Sequence, residues 1–241
     1  MELARLLLIA WLAAAGSLVQ AEVAVVDDTG ATVRLAQPAR RIVSLAPHLT
    51  ETLFAAGAGE RVVGTVEYSD YPPAASRITR VGGYSRLDLE RVAALQPDLI
   101  IAWQSGNAAA HVDRLRVLGF RIYVSQPNRI DDVASEIERL GVLAGSAPVA
   151  GRAAEAFRQR FAGLQKRYGS RPPVRTFYEI WKQPLMTVGR QQIISDVIRL
   201  CGGDNVFGQL ETMAPTVTVE AVIAANPEAI VASGMDEARP E

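Results

Sequence analysis

Apolar positions along the chain fall into two rhythms, and their alternation predicts the architecture. Residues 23–26 and 32–35 flank Asp27-Asp28-Thr29-Gly30 and read as an opening hairpin. Short runs rich in Val, Ile and Leu then predict strands over 41–45, 61–66, 98–103 and 121–125. Helical spacing predicts helices over 50–56, 89–95, 109–118 and 130–144. Short apolar strands alternating with helices imply a parallel sheet covered on both faces. A long polar helix over 148–168 follows, with Ala153, Ala156, Phe157, Phe161 and Leu164 on one side. Pro172-Pro173 stops it, and the strand–helix pattern restarts at Val174 with a strand over 175–181.

Residues 87–103 (LDLERVAALQPDLIIAW) align without a gap on residues 217–233 (VTVEAVIAANPEAIVAS), always 130 positions apart. Glu90 meets Glu220, Val92 meets Val222, Pro97 meets Pro227 and Ile100 meets Ile230. Each copy has the same local grammar. Asp88 or Thr218 caps the first turn, a glutamate follows where the helix dipole favours an anion, and proline ends the helix before a buried strand. A weaker match pairs Gly57-Ala58-Gly59 with Cys201-Gly202-Gly203, each after a helix. The fold class expected is α/β, with two Rossmann-like lobes of parallel-type sheet joined by one long helix and a ligand cleft between them. The boundaries are a first lobe at 22–145, a linking helix at 146–171 and a second, incomplete lobe at 172–241.

The first 21 residues follow neither rhythm. Arg5 precedes an apolar run over 6–15 that relaxes into Gly16 and Ser17 and reaches Val19-Gln20-Ala21. This is the pattern of a cleaved export signal, too short to cross a bilayer. The expected location is the periplasm, and the mature chain is expected to be a soluble monomer.

Composition narrows the chemistry. With 25 Lys+Arg against 26 Asp+Glu the chain lacks the positive surface of a general nucleic-acid binder. Two histidines and one cysteine exclude a Cys-rich zinc module and a three-histidine zinc site. There is no phosphate-cradling glycine loop, nucleophile elbow or H-E-x-x-H motif. The reading is a non-enzyme without metal or cofactor.

What the sequence does offer is aromatic residues after predicted strands, where open parallel sheets bind ligands. Tyr68 follows the second strand, Tyr84 follows Gly82-Gly83, and Trp103 ends the third strand ahead of Gln104 and Asn107. Aromatic faces with a few orienting amides suit a large, flat, partly apolar ligand. His48 stands on the predicted loop before the helix at 50–56, facing the same edge, where loop support is an equal alternative. Trp181 and Met186 are the second-lobe candidates. Glu90 and Glu220, one per lobe at equivalent helix starts, form a pair able to clasp arginines on a two-fold symmetric partner.

The stretches RIVSLAPHLTETLFAAGAG, VVGTVEYSDYPPAA, LDLERVAALQPDLIIAW, QSGNAAAHVDRLRVLG and VIRLCGGDNVF resemble the exported cobalamin-binding proteins of bacterial vitamin importers. The resemblance implies capture of cobalamin or a related corrinoid between the lobes and delivery to a membrane permease driven by an ATPase. It makes Tyr68 and Trp103 aromatic ligand contacts and Glu90 and Glu220 the contacts to the permease dimer. Tyr84 stands where such proteins can carry tryptophan, Met186 replaces a phenylalanine, and Ala214 falls where a stacking tryptophan is known. Cys201 matches a cysteine disulfide-linked to one farther along, which here would lie beyond Glu241. Haem or a ferric siderophore as ligand, and a non-transport structural or sensory module, stand as alternatives.

Overall fold

The computed structural model describes residues 22–83 and 86–232. Strands β1 (Val23–Val26) and β2 (Thr32–Leu35) form the opening antiparallel hairpin, in register from Val23 opposite Leu35 to Val26 opposite Thr32. Its turn is built on Asp27, whose Oδ1 accepts from the Thr29 and Ala31 amides at 2.9 and 3.0 Å.

A four-stranded parallel sheet follows, in the order β4 (Val62–Gly64), β3 (Ile42–Ser44), β5 (Leu99–Trp103), β6 (Ile122–Ser125). Successive residues of a strand point to opposite faces, and here both faces are covered. Ile42, Leu99, Ile101 and Tyr123 pack under α1 (Pro47–Ala55), α4 (Ile130–Ala144) and α5 (Ala147–Tyr168). Val43, Ile100 and Ala102 pack on the other face under α2 (Leu89–Ala94) and α3 (Ala109–Val117) through Val92, Val112 and Leu115.

Helices α4 and α5 are joined at Gly145, which has φ 67°. They run antiparallel in close contact, since a Cβ on Gly141 would fall 2.2 Å from Ala150 Cβ. Arg158 closes the pair, donating to both carboxylate oxygens of Glu138 at 2.6 and 2.7 Å. The buried line of α5 is Ala150 and Ala154, with Ala153 and Phe157 packed beside them. Ala156 and Leu164, expected on that line, are exposed: Ala156 lies off the face that Ala150, Ala153, Ala154 and Phe157 turn to the core, and Leu164 lies beyond Phe157, where α5 leaves it.

Beyond α5 the chain builds a second parallel sheet, in the order β10 (Gly203–Asn205), β7 (Val174–Glu179), β11 (Ala229–Ala232). Helix α6 (Ile193–Leu200) precedes β10, and α7 (Val219–Ala225) precedes β11. The strand expected over 175–181 ends at Glu179. Trp181 belongs instead to β8 (Trp181–Lys182), paired antiparallel with β9 (Leu185–Met186) in a hairpin of its own.

The 17-residue repeat, its copies 130 positions apart, extends to backbone detail. Asp88 and Thr218 both cap, accepting from Arg91 N–H at 2.9 Å and Ala221 N–H at 3.2 Å. Gln96 and Asn226, 130 positions apart, both adopt positive φ, 47° and 46°. Asp98 then accepts from the Arg41 amide next to β3, and Glu228 from the Arg175 amide in β7. The copies lie in separate sheets, each neighbouring that sheet's first parallel strand.

Candidate ligand-binding site

A cavity of about 440 Å³ opens at the carboxyl end of the first sheet. Its walls come from α1 (His48, Glu51, Thr52, Ala55), Tyr71, Trp103 at the end of β5, Gln126 and Pro127 after β6, and Val133, Glu136 and Ile137 of α4. Phe157 of α5 and Gln191, Gln192 and Ile193 at the start of α6 complete it. The cavity therefore lies where the first sheet's strand ends meet the chain that leads into the second sheet. Trp103, Tyr71 and Phe157 supply aromatic surface and Gln126, Gln191 and Gln192 supply amides. Among the described residues that line it there is no lysine or arginine.

His48 and Trp103, two of the residues singled out by sequence, come together here. Their rings meet edge to face at 5.0 Å between centroids. His48 lies in the first turn of α1 and not on a loop: Pro47 starts that helix three residues earlier than expected, its fixed φ suiting a first helical turn. The histidine Nε2 is buried without a hydrogen-bond partner, and burial pushes its pKa down to about 4, keeping the ring neutral.

Asn107 stands next to the cavity without lining it. It is buried, its Oδ1 accepts from Trp103 N–H at 2.7 Å, and its Nδ2 donates to Leu45 O at 2.9 Å. Its amide ties the end of β5 to the end of β3 beside the Trp103 indole. Gln104 is exposed beside it, its backbone N–H donating to Ser125 O at 3.0 Å. Tyr68 is exposed on the loop after β4, in the left-handed region at φ 63°. Neither lines the cavity. Met186 lies apart, opposite Trp181 and bridged to Thr216. Tyr84 and the export signal lie outside the described residues.

Gln126, unmarked in the sequence, is held firmly. Asp27 Oδ2 accepts from Val124 N–H at 3.2 Å, and Asp28 Oδ2 accepts from Gln126 N–H at 2.6 Å. The opening hairpin thus grips the end of β6. The Gln126 side chain in turn reaches Met213 Sδ at 3.8 Å, from the second-sheet region. A further tie between the regions runs from Ile130 N–H to Asp196 Oδ2 at 3.3 Å.

Away from the cavity, Glu90 and Glu220 are both exposed at the second position of α2 and α7. Hydrogen bonds from its own backbone N–H and from Thr218 hold Glu220 below the usual carboxylate range. Cys201 is a free, exposed thiol, and as the chain's single cysteine it has no partner in this sequence, so the disulfide expectation gains no support. Among the described residues no helix is long and apolar enough to cross a membrane.

The family model described as "Periplasmic binding protein" matches residues 42–241. A vitamin B12-binding protein of Vibrio cholerae serotype O1 is 42% identical over 196 residues, covering 81% of this chain and 71% of the relative. The crystal structure of the periplasmic vitamin B12 binding protein BtuF of Vibrio cholerae superposes with a TM-score of 0.75 at 42% identity, over 82% of this chain and 77% of that one. The periplasmic heme-binding protein RhuT from Roseiflexus sp. RS-1 superposes with a TM-score of 0.69 at 25% identity, over 80% and 76%. The chain has the α/β fold of these proteins, with parallel sheets, antiparallel hairpins and covering helices. It belongs to the periplasmic binding protein family, whose members bind and deliver without catalysis in the periplasm, and is a near relative of the vitamin B12-binding proteins.

Proposed function

We propose that this chain captures cobalamin or a related corrinoid in the periplasm and hands it to the membrane permease of an ABC importer. The observation that carries the ligand class is the cavity wall: aromatic and amide-rich, with no lysine or arginine among its described residues. A corrinoid is a large macrocycle with neutral carboxamides on its rim, which such a wall can hydrogen-bond without burying charge. Haem brings two propionates, and burying them calls for paired cations. The cavity holds one edge of the macrocycle, while the exposed Tyr68 and Gln104 stand after β4 and β5 of the same sheet. In this reading Tyr84 is a further aromatic contact to the ligand, and Met186 meets the part of the ligand nearest the second region.

The same reading divides the chain into two lobes, 22–145 and 172–241, with the helix at 146–171 between them and the ligand in the cleft. Supporting it are two parallel sheets of matched strand order, the 17-residue repeat and the single 22-residue helix that connects them. Glu90 and Glu220 then face the two halves of the permease, a role supported by their exposure and equivalent placement.

Titration with cyanocobalamin and cobinamide, followed by tryptophan fluorescence and ligand absorbance, tests the ligand. Saturable binding that weakens about tenfold or more in Trp103→Ala is expected. Failure of both corrinoids to bind overturns the reading, and saturable haem binding puts haem in their place. For docking, the double variant E90R/E220R should lose transport with solution affinity nearly unchanged; a parallel loss of affinity would remove the assignment.

A further inference from the structure

One wall of the cavity contains a group that aromatic stacking does not use. Glu136 sits in the middle of α4 between Val133 and Ile137, on the face turned to the cavity. The residue is 1% exposed, and its Oε1 has no hydrogen-bond partner in the protein. Arg139, one turn along, makes no ion pair with it and only favours its charged form from a distance: that guanidinium is paired with Asp28 at 2.7 Å and lies 5.5 Å above the Tyr123 ring. The other titratable groups around the carboxyl are Asp132 on its own helix, Tyr123 on β6, and Asp28 on the opening hairpin with Asp27 behind it. Across the cavity stand His48 and Glu51 of α1; Phe157 and the glutamines before α6 bring no charge. A buried carboxyl with an unused oxygen is costly unless something enters to satisfy it.

We propose that Glu136 determines the specificity of the cleft, its buried, unpartnered carboxyl pairing with a primary carboxamide on the ligand rim through two reciprocal hydrogen bonds. The inference rests on the corrinoid reading and adds to it the chemical group that is recognised. A carboxylic acid presents O–H and C=O side by side, and a primary carboxamide presents C=O and N–H in the complementary order. A ligand carboxylate offers no N–H in return and meets repulsion once the glutamate ionises. The surroundings favour the neutral form. Burial pushes the Glu136 carboxyl up to about 7, opposed by the neighbouring Ser125 hydroxyl, which lies near it without closing a full hydrogen bond.

The test is the affinity of the whole protein for cyanocobalamin between pH 5.5 and 8.5, in wild type, Glu136→Gln and Glu136→Leu, with thermal melting to verify folding. Wild-type affinity should fall about tenfold with a midpoint near pH 7 as the carboxyl loses its donor. Glu136→Gln keeps a donor and an acceptor at every pH, so it should bind within about threefold of wild type at pH 6 and show no pH response. Glu136→Leu should bind about tenfold more weakly at pH 6. Cobyrinic acid, whose rim carries carboxylates in place of carboxamides, should lose affinity for wild type but not for Glu136→Leu beyond its general weakening. A pH response that persists in Glu136→Gln, a flat wild-type profile, or wild-type affinity in Glu136→Leu at pH 6 overturns the assignment. Absence of corrinoid binding by wild type at every pH overturns the functional reading itself, and the assignment with it.

Discussion

The two sheet regions are built from the same local sentence and buried to very different depths. Ile100 of β5 is 0% exposed, whereas Ile230, its partner 130 residues on, is 66% exposed. Val92 and Val222 both point inward from their helices, yet the first joins a ten-residue core and the second a core of three, with Phe177 and Phe207. Strand, cap and turn come from local residue choice, which the two copies share. Burial comes from what lies over the sheet, and the repeat does not encode that. Three helices cover one face of the first sheet and two the other, while β11 turns three of its four residues to solvent. Local grammar and hydrophobic stabilisation are thus separable in this chain.

The largest expected effect exploits that contrast. Ile100→Ala should destabilise the protein by about 4 kcal/mol in urea denaturation, and Ile230→Ala in the same chain by less than about 1. Equal losses would show that β11 is covered in solution. Next comes pH, a property of the first region alone. The Glu136 carboxyl stands at about 7 against 4.5 in an unfolded chain, so its neutral form is matched below 4.5 and stability falls as pH rises from 4.5 through 7. The loss is about 3 kcal/mol, and Glu136→Gln should remove that slope. His48 runs the other way: its pKa is lowered, so its contribution is present above 6.5 and fades as pH falls towards 4. His48→Gln should therefore flatten the acid side of a thermal-melting profile. Asn107→Ala orphans Trp103 N–H and Leu45 O and should cost about 2 kcal/mol, with a shift in Trp103 emission that Ile230→Ala does not produce. The smallest effects should be equal in the two regions. Asp88→Ala and Thr218→Ala each remove one N-cap bond and should each cost about 1 kcal/mol, because a cap acts on its own first turn. Unequal values would mean that the poorly covered region alters even its local structure.

How much of this was legible in the sequence follows the same division. Element order, the helix at 130–144 and the repeat were readable because periodicity, caps and proline act over a few residues. Trp103 was found because it ends an apolar strand run. Gln126 stands in the same relation to β6 as Gln104 does to β5, and strand-end logic applied to every strand would have found it. Phe157 and Gln191–Gln192 enter the cavity only through how α5 and α6 sit, which no local signal specifies. Asn107 was legible as polar and well placed, but its use lies in two backbone partners, one of them 62 residues away. Trp181 was read into the long strand because its apolar character continues that run. The turn after Glu179 that moves it into a separate hairpin depends on pairing with β9.

The grip of Asp27 and Asp28 on the end of β6 bears on how shortened versions of this protein would behave. A version trimmed to begin at Arg41 would keep both parallel sheets and all seven helices described above. It would expose the underside of α4, leave the guanidinium of Arg139 without its acid, and release the amides of Val124 and Gln126 from their carboxylate anchors. Such a trimmed protein would pass a circular dichroism screen and still have lost the fixed wall of its cavity. Leader-proximal residues that resemble dispensable packaging are, in this fold, the scaffolding of the pocket.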